Sequence, residues 1–375
     1  MYTTTNNHFI NERSVKTVKH ILTVLIALLF LALQACEGPA GPAGTQGPAG
    51  ANGVNAGFVY FEGFKDSLKC ASCHTPDTDT VFYKAAASFQ WAKSKHAIGG
   101  TAFENRTTCA ECHTSEGYVQ KQTGLAVTQA FNSTPVGCFA CHSPHKNGDF
   151  SLRTVAPVTL LSNIVGVADA SFDYGKGNLC ASCHRPRSTS VKLDVSKLAD
   201  TDSLTIPSRW YGHYGVQGQM LMGEGGFEFT GYTYPNSFHT TATAIKEEGC
   251  ASCHMANAVG DFTGGHTMML DSEEEGENVS GCNVSGCHSG LTTLDYEGKM
   301  TEVHANMDTL KSLLVVRGWI DTVANTPKTG KVIKPARLGG AVWNYFLVEH
   351  DLSAGVHNTK YALALLRASI TELRK

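Results

Sequence analysis

What this chain lacks narrows it first. It has no cysteine to spare for a disulfide framework or a catalytic thiol. Twelve of its 13 cysteines sit in six short motifs that each end in histidine, and the other is Cys36. It has no excess of positive charge, at a net −3. A nucleic-acid partner is therefore not expected. Beyond its first 35 residues it has no apolar run long enough to cross a bilayer.

What is there is repetition. Cys-x-x-Cys-His is the covalent attachment motif of c-type haem: two thiols bond the porphyrin edge and the following histidine reaches the iron from one face. It occurs at Cys70–His74, Cys109–His113, Cys138–His142, Cys180–His184 and Cys250–His254. A sixth copy is stretched, with four residues between Cys282 and Cys287 before His288. A looser loop still spans two vinyl positions. For a lone copy the rival would be a thioredoxin-like pair or a zinc site, but a series with a histidine in every copy leaves little room for that.

The expected cofactor is thus six covalently bound haems c. They would be held by Cys70, Cys73, Cys109, Cys112, Cys138, Cys141, Cys180, Cys183, Cys250, Cys253, Cys282 and Cys287. The expected proximal ligands are His74, His113, His142, His184, His254 and His288. His145 follows His142 by three residues and lies on the same side of its porphyrin. It is placed to ligate a neighbouring iron.

Of 16 histidines, His8 and His20 fall in the leader. Once the proximal ligands are set aside, His96, His145, His213, His239, His266, His304, His350 and His357 remain. Six irons with two axial histidines each would use six of these eight. An iron capped twice by protein moves electrons and offers no open position to a substrate.

The N-terminus reads as an address. Residues 1–35 resemble a secretion signal, with Arg13, Lys16, Lys19 and His20 ahead of an apolar stretch from Ile21 to Leu33. The stretch ends Leu33-Gln34-Ala35-Cys36, which resembles the lipobox of bacterial lipoproteins. Acylated Cys36 would hold the chain on a bilayer leaflet. Residues 36–56 then carry glycine at every third position, a collagen-like pattern. A polyproline-like tether is the preferred reading, with a trimerising stem as the alternative. Residues 57–300 would form the hexahaem-binding region and residues 301–375 a helical region of the same domain.

The expected fold is mainly α with much irregular loop. An Ala-rich helix is expected over 85–99, with His96 near its end and Gly99-Gly100 stopping it. Residues 155–167 read as a short strand or a buried loop. Residues 191–249, rich in glycine and aromatics around His213 and His239, read as packed loops rather than helices. The acidic run from Asp271 to Glu277 reads as a solvated loop, with a calcium site as the lesser alternative. Val303, Met307, Leu310 and Leu314, together with Leu313, Val316, Ile320 and Val323, predict one long amphipathic helix. A second helix is expected over about 340–349. A third should begin after Asn358, a good N-cap, with His357 held at the corner before it.

Several pieces together resemble the bacterial multihaem c-type cytochromes, a group that includes ammonia-forming nitrite reductases, tetrathionate-reducing proteins and extracellular electron-conduit cytochromes. The pieces are Cys138 to His145 (Cys-Phe-Ala-Cys-His-Ser-Pro-His), His213-Tyr214-Gly215, Gly265-His266-Thr267, and His357-Asn358 followed by Tyr361-Ala362 and Leu365-Leu366. The resemblance implies a multihaem cytochrome c fold organised around packed haems. It also implies that His145, His213, His266 and His357 are distal ligands. His96 and His239 complete six, leaving His304 and His350 as solvent-facing spares. The nitrite reductases of this type use a Cys-x-x-Cys-Lys motif at the catalytic haem, and this chain has none.

The leading expectation is an exported, lipid-anchored cytochrome, on the outer membrane, that passes electrons to a redox partner or an extracellular acceptor. One alternative is a reductase of a small nitrogen or sulfur oxyanion with one open iron, using Arg209, His213 and Tyr214 beside it. The other is a subunit of a conducting filament, a form of homo-oligomer.

Overall fold

The computed structural model describes residues 20–24, 65, 69–74, 83–98, 106–129, 133–187 and 190–375. Cys36, the glycine-triplet segment and most of the leader lie outside them. The chain separates into two compact units, Met1–Ala56 and Gly57–Lys375. Of the first, residues 20–24 are described, as helix. All that follows concerns the second.

This unit is mainly helical, with long irregular connections and short strands joined in pairs. Its mass of side-chain packing is at the C-terminal end. Three helices, Lys299–Val316, Gly339–Asp351 and Thr359–Arg374, pack on one another. Val303, Leu310 and Leu314 step seven and then four residues along the first and are fully buried, as a helix stripe must be to meet a partner. They join Trp343, Phe346, Tyr361, Leu365 and Leu366 in one core, to which Trp210, Met220 and Phe229 also belong. Asn358 caps the last helix as expected, its side chain accepting the Tyr361 N–H.

The expected long helix is shorter than its pattern. It ends at Val316, and Gly318 turns the chain at φ 70°. Ile320 is buried in a strand instead, while Val316 and Val323 are exposed. The apolar period thus ran on past the point where the backbone stops. The Ala-rich helix likewise spans Lys84–Lys93; Ser94, in extended conformation, breaks it, and His96 sits on a separate turn, Lys95–Ile98.

Residues 155–167 hold both a strand and a second pairing. Val158–Leu160 runs antiparallel to Ala170–Phe172, and Ile164–Val165 runs parallel to Leu193–Asp194. The aromatic stretch of 191–249 is mostly loop, but it includes helices at Gln217–Met222 and Thr243–Glu248. The acidic run is a small hairpin, Asp271–Ser272 against Gly276–Glu277. There the Glu275 carboxylate accepts the backbone N–H groups of Asp261 and Phe262. No helix among the described residues is long and apolar enough to cross a membrane.

Candidate cofactor site

Each of the five regular attachment motifs folds as about one turn of helix. The turn brings the histidine back over the first cysteine. His74, His142, His184 and His254 donate their backbone N–H to the carbonyls of Cys70, Cys138, Cys180 and Cys250 at 2.8–3.0 Å. The stretched motif closes the same way. Despite its two extra residues, His288 N–H reaches the Cys282 carbonyl at 3.1 Å. The insertion is absorbed within the loop, and both thiols still precede a histidine at the end of a closed turn.

Five of the six motif histidines meet a histidine from another part of the chain. Ring centroids lie 6.3 Å apart for His74 and His145 and 6.2 Å for His184 and His96. They are 6.3 Å apart for His142 and His266, 6.2 Å for His254 and His357, and 6.1 Å for His288 and His239. The spacing is nearly constant across the five pairs. Two metal–imidazole bonds of about 2 Å, with half a ring on either side, sum to roughly 6 Å. The gap therefore fits one metal atom between two imidazoles. The sixth motif histidine, His113, and His213 line the same cavity.

The rings are also turned for the purpose. In His142, His254 and His239, Nδ1 donates to a backbone carbonyl: Ser151 at 3.4 Å, Met268 at 3.0 Å and Val356 at 2.7 Å. His184 Nδ1 donates to Gln217 Oε1 at 3.2 Å, and His357 Nδ1 to Asp351 Oδ1 at 2.7 Å. His96 Nδ1 lies 3.0 Å from the Met268 sulfur. Engaging Nδ1 leaves Nε2 as the free nitrogen, the usual arrangement around a metal-ligating histidine. Met268 orients two histidines at once, by its carbonyl and its side chain, from an αL backbone at φ 58°.

Burial favours the neutral, ligating form of several imidazoles here. It pushes His96 down to about 4, with His184 adding to the effect. It also pushes His213 to about 4, aided by Arg187 and His113. His184, His254 and His266 are lowered for the same first reason. The charges of His254, His357 and His113 add to the lowering of His184. His357 is the exception. Burial works to lower it, but the buried Asp351 carboxylate outweighs burial and raises it.

Between these rings runs a cavity of about 3130 Å³. Ordinary small-molecule pockets are about 300–1,000 Å³, so this one has room for several large groups. Its walls carry both cysteines of every motif except Cys70–His74. All twelve motif thiols lie within the described residues.

The two histidines set aside as solvent-facing spares differ from each other. His304 is exposed on the first C-terminal helix, at the cavity wall. His350 is 4 % exposed, which corrects the expectation. It lies on a helix buried almost all round, with its ring between Tyr211 at 4.9 Å and Tyr214 at 4.4 Å. Glu349 and Asp351 flank it in sequence, but flanking charge does not set which side of a helix faces the core. Arg209, proposed for an anion site, is exposed beside the cavity with φ 54°.

The geometry defines a protein of linked histidine pairs around one large apolar chamber. No protein-family model matches the chain, and no curated protein matches it. Among solved structures, the outer cell wall cytochrome OcwA is similar at 20% sequence identity with a TM-score of 0.45, over 76% of this chain. The chain spans about half, 49%, of that one.

Proposed function

We propose that this protein is a six-haem c-type electron carrier in which every iron is held between two histidines. The observation that carries it is the recurring imidazole pair at 6.1–6.3 Å, each joining a motif histidine to a distant one. The six pairs are His74 with His145, His113 with His213, His142 with His266, His184 with His96, His254 with His357, and His288 with His239. Haem, when bound, supplies one reversible electron per iron. The chain supplies the rest. The cysteines of the six motifs fix the porphyrin edges. The Nδ1 acceptors fix the ring planes, and the apolar chamber excludes water.

The pairing supports a carrier over a reductase, because five of the six motif histidines have a second imidazole beside them and a reductase needs an iron with a free face. Export, acylation at Cys36, an outer-membrane position, and a redox partner or extracellular acceptor complete the reading. They rest on the leader and on the six-haem content.

Intact mass of the purified chain tests it. The expected result is a mass increased by six haems with no free motif thiol. Fewer than six would overturn the count, and the stretched Cys282–His288 motif would be the first to suspect.

A further inference from the structure

We infer that the segment Cys180–His184 is a junction of the attachment array, meeting three other attachment segments where a single file would have it meet two. This rests on the haem reading above.

The contact with Cys250–His254 is backbone on backbone. Gly177 opens the turn that carries Cys180, and Gly249 immediately precedes Cys250. A Cβ on Gly177 would lie 2.8 Å from both the Cys250 nitrogen and the Gly249 Cα. A Cβ on Gly249, itself at φ 58°, would lie 2.5 Å from the Gly177 Cα. Only glycine at both places lets the two segments touch. Lys176 N–H donates to the Glu247 carbonyl across the same contact at 3.1 Å.

On the Cys109–His113 side the link is a side chain. Tyr118, on the helix that follows that motif, is 3 % exposed. Its hydroxyl lies 2.9 Å from the hydroxyl of Ser182, between Cys180 and Cys183. Cys112 and Arg185 also line one small cavity of about 110 Å³. On the Cys138–His142 side, Leu179 packs with Ala140 and Tyr118 in one buried cluster, against which Cys141 and Cys183 both rest.

The remaining two segments attach further out. Gly281, just before Cys282, abuts the Cys250–His254 turn; a Cβ there would sit 2.5 Å from the Ser252 carbonyl and 3.0 Å from the Cys253 Cα. Cys70–His74 joins through His145, which follows the Cys138 motif. Three arms therefore meet at Cys180–His184. They end at Cys109–His113, at Cys70–His74 and at Cys282–His288. Order along the chain is not order in space, and a redox change at the junction is felt on all three arms.

A crystal structure of the haem-loaded full chain tests the junction directly. The iron on His184 should border the irons on His113, His142 and His254, and bordering two or fewer overturns the inference. A solution measurement does not depend on crystals. His96→Met exchanges one imidazole at the junction for a thioether, which raises that site's potential and separates its signals. Haem-methyl NMR followed through a redox titration should then show three other sites shifting as the junction is reduced. A shift confined to two sites overturns the junction. Haem content is measured on the same samples. Six haems in single file overturn the junction alone, whereas fewer than six overturn the reading beneath it.

Discussion

The C-terminal helices and the attachment region solve the same problem of burial in opposite ways. Residues 299–375 bury themselves with their own side chains. Trp343, Phe346, Tyr361 and Leu366 are each at most 2 % exposed, and Trp210 reaches over from the 191–249 loops to join them. Among the described residues before Leu160, the buried apolar set is only Ala110, Tyr118, Val119 and Ala140. Two of these are alanines. A region with so little side-chain core does not repay the entropy of ordering its loops. What it has instead is a chamber lined by thiols and imidazoles. The difference teaches that the first region makes a fold and the second makes a mould.

The largest expected effect breaks the comparison outright. In full-length protein produced without haem attachment, amide hydrogen exchange should become fast over 106–159 and stay slow over 339–375. Equal protection in both stretches would mean that the attachment region holds itself together. The next effect is local to the helices. Trp343→Ala should cost about 3–5 kcal/mol, and Leu366→Ala about 2–5 kcal/mol, because each leaves a cavity in a closed core. Val119→Ala, in the attachment region, removes two methyl groups and should cost less, about 1.5–2.5 kcal/mol. Chemical denaturation of the haem-loaded variants measures all three.

Glu372 sharpens the comparison by pH. Its carboxyl is 5 % exposed, and burial acts to raise it, but Lys375, Tyr232 and Arg337 more than compensate and hold it below the ordinary carboxylate range. A depressed carboxyl lends stability that is present above its unfolded value and lost as the pH falls through its folded one. The C-terminal core should therefore weaken in acid, below about pH 4. Glu372→Ala should lower its melting temperature at pH 7 and flatten that acid response. An unchanged acid profile in the variant would show that this carboxyl is not the source.

The smallest structural effect should come with a clear redox one. Asp351→Asn keeps the shape beside His357 but removes a buried negative charge that favours oxidised iron. The midpoint of the His254–His357 site should rise in spectroelectrochemical titration while the melting temperature barely moves. An unchanged or lower midpoint would contradict the role given to Asp351.

How much of this was legible in the sequence follows from the same contrast. The helix stripe Val303, Leu310 and Leu314 declared itself because a period of 3.6 is a property of the sequence. Its end did not, because Ile320 keeps the period after Gly318 has turned the backbone. The six motifs and the eight spare histidines could be counted, and five of the histidines named as distal, His96, His145, His239, His266 and His357, lie beside a motif histidine. Which of them meets which was not legible, since it depends on long loops closing. Nor were the Nδ1 acceptors. Ser151, Met268 and Val356 act through backbone carbonyls, which every residue has. The burial of His350 was hidden by its charged neighbours. Gly177 and Gly249 looked like loop glycines, and only their contact in space shows why no side chain fits there.

The central claim is that every iron in this chain is closed by two histidines. Low-temperature EPR of the oxidised, haem-loaded protein, with haem quantified on the same sample, addresses it most directly. Six low-spin ferric centres with no high-spin signal are the result this account predicts. A high-spin signal near one-sixth of the total haem would reveal an iron with a free face. It would contradict the all-paired site, and the reductase reading would then take its place.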